Sequence, residues 1–152
     1  MSIAQMSPDL DPPFETTLLV RDSCLCLHAQ RAARALARRF DLALKPLGLT
    51  SGQFSLLMSL NRPEPPNLGS LAALLAMDRT TLTANLKPLE RRGLVLIEPD
   101  PADRRARLLR LLPAGRAVLA DAVPVWRRLH REIEGTLPSA ERLRAELNLL
   151  SR

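Results

Sequence analysis

The chain has 152 residues, with 22 Lys and Arg against 16 Asp and Glu, giving a formal net charge of +6 and a pI near 10.8. That length suits one domain with a core of its own, and the excess of base favours a polyanionic partner. No apolar run approaches the ~20 residues of a membrane span, and the opening MSIAQMSPDLDPPF lacks the basic-then-apolar order of a signal peptide, so no membrane association is expected and the protein reads as cytoplasmic.

Residues 1–14 hold Pro8, Pro12 and Pro13 among small and acidic residues and read as a flexible arm. One long first helix is predicted from Thr17 to Leu47, where Leu18, Leu25, Ala29, Ala32, Leu36, Phe40, Ala43 and Leu47 form an apolar stripe. Arg31, Arg34 and Arg38 fall on its opposite, solvated face. Thr50-Ser51-Gly52-Gln53 has the pattern of a capping box and opens a second helix that buries Phe54, Leu57 and Leu60. The proline-rich turn 61–66 ends it. Asn67 caps a third helix holding Leu71, Leu74 and Leu75, and Ala76-Met77 forms the turn of a helix-turn-helix that ends at Leu89.

Residues 77–115 carry the strongest functional signal. Asp78 precedes a run of good helix formers and is placed to accept hydrogen bonds from the unpaired N–H groups of a first turn. Leu82, Leu86 and Leu89 recur at spacings of four and three and define the buried face. Arg79, Thr80, Thr81, Thr83, Ala84 and Lys87 point elsewhere. Short, mostly polar side chains let a helix enter the ~12 Å major groove, where hydroxyls meet donors or acceptors and a Thr methyl meets a thymine methyl. Pro88 removes one backbone hydrogen bond within the helix. Gly93 ends it.

Two apolar runs follow, Leu94 to Ile97 and Leu108 to Leu112, around the Pro- and Asp-rich tip Glu98-Pro99-Asp100-Pro101-Ala102-Asp103, a hairpin pattern. Arg104, Arg105, Arg107 and Arg110 load the returning strand. Between Arg91 and Arg110 there are six arginines against Glu98, Asp100 and Asp103, a local excess of three. A narrow minor groove concentrates negative potential and attracts inserted Arg. An ordinary exposed hairpin also carries arginines, but helix, glycine and basic hairpin occur here in the order and lengths of a winged helix. Beyond it, Val118, Ala122, Val125, Trp126, Leu129 and Ile133 mark a fifth helix bent near Pro124, and Leu143, Leu147 and Leu150 mark a sixth over ~138–150. The outer helices have more apolar surface than a small DNA-binding core covers, which predicts self-association.

LERRGLV (89–95), DRR (103–105) and AG (114–115) give the chain, over residues ~15 to 150, a resemblance to the MarR-type winged helix-turn-helix regulators. The resemblance implies a mainly α (α+β) fold in a single domain, 15–152. A winged helix-turn-helix core spans 50–112, flanked by long N- and C-terminal dimerisation helices at 15–47 and 113–152. It further implies that the helix over 78–92 recognises DNA, that Arg105 enters the minor groove from the wing with Arg104 beside it, and that Asp103 braces Arg105. First, fifth and sixth helices would interlock in a two-fold homodimer, and two recognition helices would then read a pseudo-palindromic operator with half-sites ~10–10.5 bp apart. A transcriptional repressor is the implied role. One departure is Leu112, where the family usually has Thr; Leu cannot cap, but Pro113 suits a first helical position.

Cys24, Cys26 and His28 are the candidates for sensing. On a continuous helix Cys24 and Cys26 sit ~200° apart and cannot pair, while Cys24 and His28 share a face. Two ligands do not make a metal site, and no metal or other cofactor is expected. DSCLC (22–26) resembles the start of the organic-peroxide-sensing OhrR-type branch, which puts the reactive cysteine at Cys26. That branch holds its thiolate with tyrosines, where this tyrosine-free chain has Gln30, Ser51 and Phe54. A structural cysteine is the plainer reading, and an unsupported thiol oxidises slowly. The family often takes small aromatic acids or other lipophiles between dimer helices and DNA-binding lobe, so His28, Arg39 and Trp126 become ligand-pocket candidates. The expected signal is thus a small-molecule effector or a peroxide. Catalysis would need a clustered acid, base or nucleophile, or a glycine-rich phosphate loop, and the chain has neither; no enzyme is expected. The competing reading is a winged helix that binds protein without specific DNA binding, though such modules tend to lose the basic wing kept here.

Overall fold

Side-chain caps fix where most helices of the second half begin. In the computed structural model, which describes residues 11–152, the chain divides into two compact units, one ending at Leu36 and the other running from Ala37 to Arg152. Most of the expected arm, residues 1–10, lies outside the described residues.

The single long first helix is not formed. Helix α1 spans Phe14–Ser23 and α2 spans Leu25–Leu44. Cys24 stands between them with ψ 107°. Its N–H still donates to the Val20 carbonyl at 3.0 Å, and its own carbonyl accepts from the His28 N–H at 3.1 Å. Cys24 thus ends one helix and opens the next. The apolar stripe continues on both sides, which is why periodicity alone runs the two together. The ~200° separation expected for Cys24 and Cys26 therefore does not apply.

In the second unit a short 3-10 turn, Lys45–Leu47, leads to α3 (Ser51–Leu60), α4 (Leu68–Leu74), α5 (Arg79–Arg91), strands β1 (Val95–Pro99) and β2 (Arg107–Leu111), α6 (Pro113–Glu134) and α7 (Ala140–Leu150). The fold is mainly helical with one two-stranded sheet. The Thr50 hydroxyl accepts from the Gln53 N–H and the Gln53 side chain from the Thr50 N–H, both at 3.1 Å, completing the capping box. Asn67 accepts from the Ser70 N–H at 2.8 Å. Ser139, which the sequence reading passed over, accepts from the Arg142 N–H at 3.2 Å and starts α7. Leu112 has no capping side chain, as expected, and Pro113 takes the first turn of α6.

Leu44, Leu56, Leu57, Leu71, Leu82, Leu86, Leu89 and Leu109 are all at most 1% exposed and form the centre of the core. Truncating any one to Ala would cost roughly 3–5 kcal/mol. The three leucines of α5 hold that helix to the core along one face and leave the other open. The turn before α5 is tight: Ala76 has φ 51°, and the Met77 N–H closes α4 by reaching back to the Ala72 carbonyl at 2.9 Å. After α5 the chain leaves through Gly93 at φ 69°, a left-handed position that suits glycine.

The hairpin is longer than the apolar runs suggest. The antiparallel ladder runs from Val95↔Leu111 to Pro99↔Arg107, so Glu98 and Pro99 belong to a strand and the tip is 100–106. Pro99 tolerates the end of a ladder, where its missing N–H is not required. A further bridge, Asn67↔Leu108, and the Leu109 N–H donating to the Pro66 carbonyl at 2.9 Å dock the α3–α4 loop on β2. Gly115 lies where α6 meets this sheet: a Cβ there would come within 2.3 Å of the Leu94 carbonyl oxygen.

Candidate nucleic-acid interface

Helix α5 starts at a doubly used cap. One Asp78 carboxylate oxygen accepts from the Thr81 N–H and the other from the Thr81 hydroxyl, each at 2.8 Å. These bonds hold the Asp78 carboxyl below the usual carboxylate range, because they favour the ionised form. They also engage Thr81, whose hydroxyl hydrogen points into the cap.

The exposed side of α5 is set by its buried side. At 100° per residue, Thr80, Ala84, Lys87 and Arg91 lie within about 50° of the direction opposite Leu82, Leu86 and Leu89, and all four are exposed. Thr83 lies on one flank, half-buried, and donates its hydroxyl hydrogen to the Arg79 carbonyl at 2.8 Å. Arg79 is exposed, with its guanidinium over Gly69: a Cβ on Gly69 would meet Nη2 at 2.9 Å. Arg79, Thr80, Thr83, Ala84 and Lys87 line one shallow depression along the helix. Five of the six α5 residues named from the sequence are therefore together, and Thr81 stands apart in the cap. Arg91, which the sequence reading did not name as a contact, joins this outward row at i+4 from Lys87, with its Nε 3.4 Å from the Lys87 carbonyl oxygen.

The wing tip is built by two aspartates. Asp100 accepts the Ala102 N–H at 2.9 Å and Asp103 accepts the Arg105 N–H at 3.0 Å, the two-residue reach by which Asp turns the backbone. Asp103 therefore braces Arg105 through its main chain, and the Arg105 guanidinium is left to the surface. Arg104 and Arg105 are exposed and form no ion pair among the described residues. Arg110 differs: its guanidinium donates twice to one Glu98 oxygen, at 2.8 and 3.2 Å, so the base of the wing is internally neutralised. Arg92, which also adds to the local charge, donates to the Gly48 carbonyl at 2.7 Å and ties the end of α5 to the loop that precedes α3. A helix face of small side chains and a hairpin tip of two unpaired arginines match the size and charge of a major groove and its neighbouring minor groove.

The sensing candidates are scattered by comparison. Cys26 is exposed and its Sγ accepts from the Gln30 side-chain amide at 3.2 Å. Gln30 is thus the neighbour of that sulfur, at the position where the resemblance expects tyrosine. His28 places Nδ1 2.8 Å from the Cys24 carbonyl oxygen, so it meets the backbone and not the thiol. Among the described residues no group of three or more His, Cys, Asp or Glu side chains is placed to hold a metal, and no helix is long and apolar enough to cross a membrane. Trp126 is half-buried, stacked on Phe54 with ring centroids 6.3 Å apart and on His130 at 4.5 Å. Arg39 is exposed.

Comparison with known proteins places this geometry. The MarR family pattern matches residues 49–106, which include α3, α4, α5 and most of the wing. The transcriptional repressor NicR of Pseudomonas putida is 34% identical over 95 residues, 62% of this chain and 60% of NicR. The chain thus spans less than two thirds of that relative's length. Among solved structures, the Mycobacterium tuberculosis regulator MosR in complex with DNA is 37% identical, covers 85% of this chain and 94% of its own, and superposes with a TM-score of 0.79. The repressor CouR, bound to a 23-mer DNA duplex, is 30% identical over 87% of this chain and 93% of its own, with a TM-score of 0.72. CouR from Rhodococcus jostii has also been solved with p-coumaroyl-CoA bound.

Proposed function

The chain belongs to the MarR family, and on that premise we propose that it is a homodimeric transcriptional regulator of duplex DNA, acting as a repressor. Helix α5 enters the major groove of each half-site of a pseudo-palindromic operator, and the wing follows the adjacent minor groove. The observation that carries this reading is the free pair Arg104 and Arg105 at a tip shaped by Asp100 and Asp103, beside an α5 face held outward by three fully buried leucines. DNA-bound MosR and CouR share the fold and support it. The exposed leucines of α7, among them Leu147 and Leu150, supply an apolar face for the second copy. Repression is the role named for NicR and CouR.

Release from the operator follows binding of a small-molecule effector or oxidation of Cys26. The effector route is supported by CouR with p-coumaroyl-CoA, and the oxidation route by the exposure of Cys26. Comparing peroxide-driven release in wild type and Cys26→Ser separates the two, since equal release in both removes Cys26 from the mechanism.

The test of DNA binding is a gel shift with the region upstream of the protein's own gene at ~50 mM salt, where phosphate contacts are strongest. A specific shift is expected. Arg105→Ala should weaken binding about 10-fold or more with the dimer intact by sedimentation, and should lower the salt slope by about one. Absence of any shift overturns the proposal, and a broken Arg105→Ala dimer makes that residue structural. Deleting the gene should raise transcription from the bound promoter; a fall makes the protein an activator.

A further inference from the structure

The hydrogen bonds within α5 decide which of its three threonine hydroxyls are available to a base. Thr81 donates to Asp78 and Thr83 to the Arg79 carbonyl. Both hydroxyl hydrogens are engaged, so each oxygen retains acceptor capacity only. Among the described residues the Thr80 hydroxyl has no partner. Around it the side chains are small: Ala84 offers its Cβ alone, and Thr80 and Thr83, each carrying one γ-methyl, line the same depression.

Resting on the DNA-binding reading above, we infer that α5 selects its half-site through the 5-methyl groups of thymine, met by Ala84 and by the Thr83 γ-methyl, with Thr80 as its one two-way hydrogen-bonding hydroxyl. Thymine is the base that presents a methyl in the major groove, next to an O4 acceptor. Adenine and cytosine offer amino donors there, which the Thr83 oxygen accepts without disturbing its bond to Arg79. Guanine presents only acceptors on that edge, and Thr83, its hydrogen already engaged, has nothing to donate to them. Arg79 and Lys87, at the two ends of the depression, are its groups suited to a guanine edge. The middle of the face thus discriminates by shape and methyl contact, and its ends by charge.

The experiment replaces each thymine of the footprinted operator in turn with deoxyuridine, which deletes the 5-methyl and keeps the base pair and its hydrogen-bonding edge. One or two thymines in each half-site should respond with a Kd about fourfold higher per methyl lost. Ala84→Gly should abolish the response at one of them. Thr83→Ser, which keeps the hydroxyl bond to Arg79 and deletes the methyl, should abolish it at another. Because Thr83→Ser changes no backbone requirement, it stays informative even where Ala84→Gly loosens the helix. Tight binding of the unmodified operator together with indifference to every deoxyuridine overturns the inference, as does loss of binding only when guanine N7 is removed with 7-deazaguanine. Failure to bind the unmodified operator overturns the DNA-binding reading itself, so the two failures are distinguishable.

Discussion

Gly115 controls how closely α6 approaches the sheet, and Ala76 carries the strain of the turn before α5. Gly115 faces the Leu94 carbonyl, and the added Cβ of Gly115→Ala would sit 2.3 Å from that oxygen and 2.7 Å from the Leu111 side chain. Backbone on one side and a buried strand residue on the other leave little room to yield. Gly115→Ala should destabilise by about 1–3 kcal/mol or more, read as a lower urea midpoint at unchanged slope. The opposite case is Ala76, whose φ of 51° is a conformation that costs an L-residue about 1–2 kcal/mol. Ala76→Gly should stabilise by up to about 1 kcal/mol, read as a higher midpoint, since part of the relief is lost to the greater freedom of glycine in the unfolded chain. A midpoint lowered by Ala76→Gly would contradict the strain assigned to that turn.

At the scale of elements, the start of α5 should be pH-sensitive in a definite direction. The Asp78 carboxyl is held below its usual range by the Thr81 backbone N–H and then by the Thr81 hydroxyl. A depressed folded-state pKa stabilises the fold at every pH above the unfolded value, and that contribution is lost as pH falls through the folded value. The loss therefore belongs below about pH 4. Asp78→Asn, which keeps an acceptor and removes the titration, should flatten the fall in Tm between pH 5 and pH 2.5; an unchanged profile would remove Asp78 as a source of it. This cap, like those at Thr50 and Asn67, was legible in the sequence because an acceptor side chain stood directly before a run of helix formers. The break at Cys24 was not. No glycine or proline marks it, and an apolar stripe continues through a single residue that leaves helical geometry. The wing was legible as a hairpin but short by two pairs, because Glu98 and Pro99 read as turn residues and here close a strand. Which threonine hydroxyls of α5 are free was beyond the sequence, since Thr80, Thr81 and Thr83 differ only in what folds back to meet them. The stack of Trp126 between Phe54 and His130 was hidden for another reason: it joins residues of α3 and α6, and spacing along one helix says nothing of the other.

For the whole molecule, the proposal joins two things that the sequence reading expected together, a basic grip and a self-associating surface. Phe14 of α1 is 68% exposed and, in the other unit, Leu150 of α7 is 64% exposed, apolar side chains of the kind that a second copy would cover. If they serve a second copy, the distance between paired α5 helices fixes the spacing of half-sites, and DNA with the two half-sites moved apart by five base pairs should bind no better than a single half-site. The most direct test of the central claim is a hydroxyl-radical footprint of the wild-type protein on its own upstream region. The account predicts two equivalent protected patches related by two-fold symmetry, ~10–10.5 bp apart, with the outer minor-groove protection lost in Arg105→Ala. A single unsymmetrical patch, or protection unchanged by Arg105→Ala, would contradict it.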